Sequence, residues 1–317
     1  MSVAALIPTL LGLFALVCIG ALIGRSGRLG VASDRAAVAL TALVVDVTLP
    51  ALTLDVLLRR RLTAEVAWAL APSTVSLFAC LGAGYALSTL AGWSRPVRGT
   101  VMICAAFCNT GFLGVPITRA LFPDRTDAAQ AAVLIDTVDT TALLWTVGVA
   151  VAQAFGDPHP SLATPRRLRA VLLRPATLSV LVGLALNLLG VPAPAAVLSL
   201  LQWVGASTSV LVFLALGLRL DLSVLRGQRA PLLLSLAIKL VLSPAVALLV
   251  ARALSLHGPP IAVSVLQSSM PAAVIAAAIA TQERCDDRLA AAIVVSSLAL
   301  ALPAIWLWSP VLRALAG

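Results

Sequence analysis

Residues 101–122 read VMICAAFCNTGFLGVPITRALF, an apolar stretch of membrane-spanning length interrupted by Asn109, Gly111, Gly114 and Pro116. A second stretch, residues 261–280, reads IAVSVLQSSMPAAVIAAAIA and is interrupted by Gln267, Ser268, Ser269 and Pro271. Proline lacks an amide donor and clashes with the preceding turn, so helical bonding is expected to fail just before Pro116 and Pro271. Backbone groups freed in a bilayer cannot face lipid and are tolerated only where they line a cavity or meet protein partners. Counted from span starts near residues 97 and 259, Asn109 and Pro271 each fall about 18 Å deep, near the midplane. Pro50, Pro72, Pro244 and Pro303 lack such polar neighbours and read as simple kinks.

Composition sets the frame for these two stretches. The 317 residues are 61% hydrophobic and 11% charged, with a mean hydropathy of +1.05. A soluble domain carries about 25% charged residues, so an integral membrane protein is expected. Apolar runs this long do not suit the alternation of a membrane barrel, which leaves helices. The net charge of +9 comes from basic residues placed mainly between apolar runs, the mark of membrane topology rather than of nucleic-acid binding. The first apolar stretch is too long for a signal-peptide core and is followed by Arg25 and Arg28, so it reads as a retained helix.

Ten stretches are long enough to span: about 3–24, 36–58, 63–91, 97–122, 128–153, 171–190, 195–220, 230–256, 259–282 and 287–315. The basic segment GDPHPSLATPRRLRA separates five from five, giving a first repeat over 1–153, a connector over 154–170 and a second repeat over 171–317. Alternate loops on one side collect 14 of the 22 Lys and Arg residues. By the positive-inside rule both termini face outward in a multi-pass protein of the cytoplasmic membrane, with Arg59, Arg60 and Arg61 dissenting. An odd number of spans per half makes the halves inverted repeats, and equivalent broken helices in such repeats point to a midplane binding site. The expected architecture is all-α, with spans 4 and 9 broken and crossing.

The free amides at the start of each second half-helix suit a carboxylate. Asn109, Gly111, Pro116, Gln267, Ser268, Ser269 and Pro271 are therefore the candidate substrate-binding residues. Gly111 and Gly114 also read as small-residue packing positions.

The motif NTGFLGVPI at residues 109–117 resembles the signature of the auxin efflux carrier family, which includes plant auxin carriers and bacterial permeases. SSMPAAVIAAAIA at the ninth span, VLSPAV after Lys239 and RPATLSVLVGLALNLLGVPAP at the start of the second half extend the resemblance over nearly the whole chain. It implies a scaffold of spans 1, 2, 6 and 7 and a transport part of spans 3–5 and 8–10. The substrate would sit where the broken helices cross. It also implies a small organic anion such as malonate, malate or an auxin-like acid, and allows a homodimer that no feature of the chain itself indicates. The long central loop of many plant members is absent, which argues against regulation by loop phosphorylation.

Ionisable residues inside spans are functional candidates by default. Asp46 and Lys239 lie at matching depths that allow pairing, and snorkelling of Lys239 is the alternative. Asp55 stands four residues before Arg59, the spacing of a surface ion pair. Asp136 and Asp139 are three apart, on one face of a regular helix with Thr140. Two carboxylates so close do not both stay ionised without cost, so the stripe is a candidate for proton coupling. Neutralisation of Lys239 by Asp139 is the structural alternative. Asp46, Asp136, Asp139 and Lys239 are the coupling candidates.

Cys104 and Cys108, four apart and so expected on one helix face, read as packing residues, and no metal-ligand spacing accompanies them. No metal or cofactor is expected beyond a coupling proton or sodium ion. No phosphate loop or hydrolase motif occurs. The expected function is secondary transport of an organic anion. A sodium-coupled carrier of the bile acid:sodium symporter type is the alternative, and an intramembrane enzyme or receptor using Asp136 and Asp139 stands behind it.

Overall fold

The computed structural model describes residues 7–26, 30–59, 64–122, 124–156, 175–218 and 227–316. Most of the connector 154–170 lies outside them. Thirteen helical segments are described: α1 (Ile7–Ser26), α2 (Ser33–Arg59), α3 (Ala67–Leu90), α4 (Arg95–Ala106), α5 (Val115–Leu121), α6 (Asp127–Phe155), α7 (Pro175–Leu188), α8 (Ala195–Leu218), α9 (Arg229–Ala253), α10 (Pro259–Ser268), α11 (Val274–Gln282), α12 (Asp287–Ala299) and α13 (Ala301–Ala316). Five of them, α2, α3, α6, α8 and α9, are each long and apolar enough to cross a membrane. A sixth crossing arises if α12 and the part of α13 from Pro303 onward, bent by 58° between them, count as one. Large apolar side chains, among them Leu90, Leu188, Trp203 and Trp306, stay exposed on the outside, as a lipid-facing surface requires.

Packing sorts the helices into two groups. In the first, α8 lies against α1 and α2, and α7 against α2. In the second, α3 packs on α4 and α9, α10 on α6 and α13, and α11 on α12. Glycines bring helices of the first group close: a Cβ on Gly217 would stand 2.2 Å from the Val17 carbonyl, and one on Gly20 would stand 2.4 Å from that of Leu214. Close backbone approach through small residues is how membrane helices gain dispersion energy when lipid is as apolar as leucine.

Widened π turns interrupt four helical stretches, at Val44–Thr48 in α2, Thr110–Gly114 before α5, Asp136–Gly148 in α6 and Ile238–Leu242 in α9. Asp46, Asp136, Asp139 and Lys239, the four ionisable coupling candidates, all lie in such turns. Turns of this kind expose backbone and recur at functional sites.

Gly217→Leu is expected to drive α1 and α8 apart and lower the denaturation midpoint of the detergent-solubilised protein, with overpacking costing about 1–3 kcal/mol. Gly12→Leu, where nothing lies within 4 Å of the added carbon, is expected to leave the midpoint unchanged in the same assay.

Candidate functional site

The two interrupted stretches meet. α4 ends at Ala106, and Phe107 turns extended. α10 ends at Ser268, and the chain resumes as α11 at Val274. Between these ends Cys108 and Ala272 form an antiparallel bridge. The Asn109 amide donates to the Pro271 carbonyl at 2.8 Å, and the Ala273 amide to the Phe107 carbonyl at 2.9 Å. Each break thus satisfies the other's backbone. Pro271 lies inside its break, as its missing amide predicts. Pro116 does not: the first chain is already helical from Thr110, so Pro116 sits near the start of α5, where proline is well tolerated.

Side chains from neighbouring helices complete the crossing. Thr140 donates to the Cys108 carbonyl at 3.2 Å, and Ser297 accepts from the Ala272 amide at 3.1 Å. Lys239, fully buried, donates to the Ala106 carbonyl and to Cys108 Sγ, both at 2.9 Å. Its ammonium therefore caps the negative end of α4, a favourable place for a cation. This corrects three expectations. Lys239 does not snorkel. Asp46 is exposed on α2 and forms no ion pair with it among the described residues. Cys108 lies beyond the end of α4, in the break, and not on a helical face shared with Cys104.

A cavity of about 260 Å³ opens between α2, the start of α5, α6 and α11. Asn109, Gly111, Phe112, Val274 and Ile275 bring to it the beginnings of both second half-helices, whose first-turn amides have no intrahelical acceptors. Asp136, Thr140 and Trp145 line it from α6, and Leu52, Thr53 and Asp55 from α2. Arg59 and Arg119 complete the lining as exposed residues. Arg59 is held by Asp55 at 2.6 Å and by the Leu198 carbonyl and Gln202 Oε1, each at 3.0 Å. The expected Asp55–Arg59 pair is therefore present. Arg119 forms no ion pair among the described residues.

Of the seven candidate substrate residues, Asn109 and Gly111 line this cavity. Ser268 and Ser269 turn their hydroxyls back onto the Ser264 and Leu266 carbonyls of their own chain. Gln267 and Ser268 line a second, smaller cavity instead. Asp136 and Asp139 also part company. Asp136 accepts from Thr110 at 2.6 Å and faces the large cavity, whereas Asp139 accepts from Thr74 at 2.6 Å and lines the small one. Neither forms an ion pair with Lys239 among the described residues. Two glycines of the motif make room for these groups. A Cβ on Gly111 would lie 2.8 Å from Asp136 Oδ1, and one on Gly114 would lie 1.7 Å from Gln267 Oε1.

Sequence reasoning missed Arg119, Phe112 and Trp145. The signal was present, since Phe112, Val115 and Arg119 recur at i, i+3 and i+7, one helical stripe ending in a cation.

Residues 5–309 match the model of a family described as membrane transport protein. An uncharacterized transporter of the archaeon Methanothermobacter thermautotrophicus is 28% identical over 312 residues, covering 96% of this chain and 97% of its own. Another, from Methanocaldococcus jannaschii, is 25% identical over 215 residues, covering 66% of this chain and 68% of its own.

Lys239→Met keeps the volume but strips the Ala106 carbonyl of its donor. A charge-assisted bond of this kind is worth about 1.5–3 kcal/mol. The variant is expected to denature at lower temperature, and Cys108, freed of the ammonium, to react differently with a membrane-permeant maleimide.

Proposed function

The chain belongs to the membrane transport protein family, the auxin efflux carriers, and from that premise we propose that it is a secondary carrier of a small organic anion working by alternating access. The observation that carries the reading is the assembly of the large cavity: two half-helix beginnings, the Asn109 amide and the guanidinium of Arg119 converge on it. Helix starts and a guanidinium both favour a carboxylate. Phe112, Val133 and Trp145 supply the apolar walls a carbon skeleton needs.

In this reading the chain makes ten crossings in two inverted repeats, with both termini outside the cytoplasmic membrane. The first helix group is the scaffold and the second the moving part. The cavity then opens outward, because Arg59 and Arg119 stand at the ends of the second and fourth crossings. Asp136 puts a carboxylate beside the incoming anion. The two repel unless a proton arrives with the substrate, which makes Asp136 the group that senses pH.

Four measurements test this. Proteoliposomes holding the protein are expected to show saturable uptake of radiolabelled malonate, competed by malate or an indole carboxylate, and their absence from intact, correctly inserted protein removes the carboxylate assignment. Asn109→Ala and Arg119→Gln are each expected to raise KM about tenfold or more, the loss of one bond of about 1.4 kcal/mol. Asp136→Asn is expected to flatten the pH dependence of KM while leaving uptake measurable. Reporter fusions at Pro160 and Pro192 are expected to report inside and outside, respectively.

A further inference from the structure

The small cavity has a volume of about 10 Å³, room for one water or one small ion. Ser73 of α3, Asp139 and Thr140 of α6, Ser243 of α9, and Gln267 and Ser268 of α10 bring polar groups to it. Two of these residues present atoms with no hydrogen-bond partner: Asp139 Oδ2 and Gln267 Oε1. The residues are 5% and 0% exposed. A carboxylate oxygen and an amide oxygen only accept, so each of the two lacks a positive or donating group. Leaving such acceptors bare in a low-dielectric interior is costly.

The nearest fixed cation does not fill the gap. Lys239 Nζ is engaged by the Ala106 carbonyl and Cys108 Sγ, Thr74 donates to the other oxygen of Asp139, and the Ser73 hydroxyl stands beside the same carboxylate. The charge around the cavity is also unbalanced. α4 and α10 both end here, and each helix end carries about half a negative charge. With the Asp139 carboxylate they outweigh the ammonium of Lys239 and the half-helix that begins at Thr110 by about half a unit. The donor set is hard oxygen with one carboxylate. No group of three His, Cys, Asp or Glu side chains suited to a metal ion occurs among the described residues. This combination suits a monovalent hard cation and not a divalent or transition metal.

We propose that this cavity binds one sodium ion, anchored by Asp139 Oδ2 and Gln267 Oε1 and completed by the hydroxyls of Ser73 and Thr140. A proton on Asp139 would balance the charge but make one bond, serving fewer of the orphaned acceptors. The ion ties α6 to α10 at the crossing. Its effect reaches the large cavity through two contacts: Gln267 lies against Gly114, and Thr140, which lines both cavities, shares a hydrogen bond with Thr110. Sodium occupancy and anion binding are thereby linked, and by linkage each raises affinity for the other. The ion's role in coupling rests on the anion-carrier reading; its binding does not.

The test is thermal denaturation of the purified protein in sodium, potassium or choline chloride at equal ionic strength, at pH 6 and pH 8 and without substrate. A ligand that binds only the folded state raises its midpoint with concentration. A saturable rise of several degrees specific to sodium at pH 8 is expected, absent in Asp139→Asn and in Gln267→Leu. Ser73→Ala, a milder change, is expected to raise the half-saturating sodium concentration about tenfold, and it keeps the test open if the other variants fail to fold. Equal midpoints in all three salts at both pH values overturn the proposal, as does a sodium shift that survives in Asp139→Asn. Stabilisation by acid in place of sodium assigns the cavity to a proton and overturns it too. A sodium shift without malonate uptake spares this site and removes the carboxylate reading, whereas malonate uptake without the shift does the reverse.

Discussion

Backbone groups buried in a bilayer must find partners inside the protein, and the crossing of the two interrupted stretches is built around that requirement. The breaks run past each other antiparallel and exchange hydrogen bonds, Asn109 to Pro271 and Ala273 to Phe107. That exchange leaves over the Ala106 carbonyl, the Ala272 amide and one lone pair of the Cys108 carbonyl, which also accepts from the Thr110 amide at 2.9 Å. Lys239, Thr140 and Ser297 take them, from α9, α6 and α12. A fully buried lysine is costly in a membrane protein, and here its position follows from the carbonyl end of α4. Remove the crossing, and nothing in this structure accounts for these three polar side chains at such depth.

Once four half-helices end at one place, their dipoles are sorted by geometry. The beginnings, around Gly111 and Val274, line the large cavity, and the ends, at Ala106 and Ser268, line the small one. One side favours negative charge and the other positive. Two charges of opposite sign can then be held a short distance apart with no large excess of ionised side chains, which a bilayer would tolerate poorly. Gly111 and Gly114 make this possible at close range, since any side chain on them would collide with Asp136 or Gln267.

The breaks were legible in the sequence because glycine, proline and amide residues are conspicuous in an apolar run, and the apolar runs themselves located the helices. What the sequence did not disclose was rotation about the helix axes. Depth arithmetic placed Asp46 level with Lys239 but could not say that α2 turns Asp46 outward while α9 aims Lys239 at the break. The same limit applies within α6. A spacing of three puts Asp136 and Asp139 on one face only if the helix is regular, and the widened turns from Asp136 to Gly148 change that phase. The two carboxylates consequently serve different cavities. Pro116 misled for a related reason: proline marks a helix start as readily as a failure of helix, and here the break precedes it by a full turn and more.

The large cavity lies on the seam between the two helix groups, with Leu49, Leu52 and Thr53 on one wall and Phe112, Asp136 and Trp145 facing them from the other group. The crossing belongs wholly to the second group. Among the described residues, these polar ties each stay within one group: Arg59 to Leu198 and Gln202, and Asn187 to Leu57, lie in the first, while Ser76 to Ser243, Thr74 to Asp139 and Trp308 to Leu240 lie in the second. Along the seam itself Thr41, Val212 and Leu216 face Ala277, Ala278 and Ala291 around a gap of about 20 Å³ that Thr281 and Asp287 also line. A sliding displacement there breaks dispersion contacts that re-form one step along, whereas a displacement inside either group would have to break buried hydrogen bonds. In the carrier reading, the apolar part of this seam is where one group would slide past the other. Such motion alters the wall that α2 contributes to the cavity and leaves the crossing, with whatever it holds, intact.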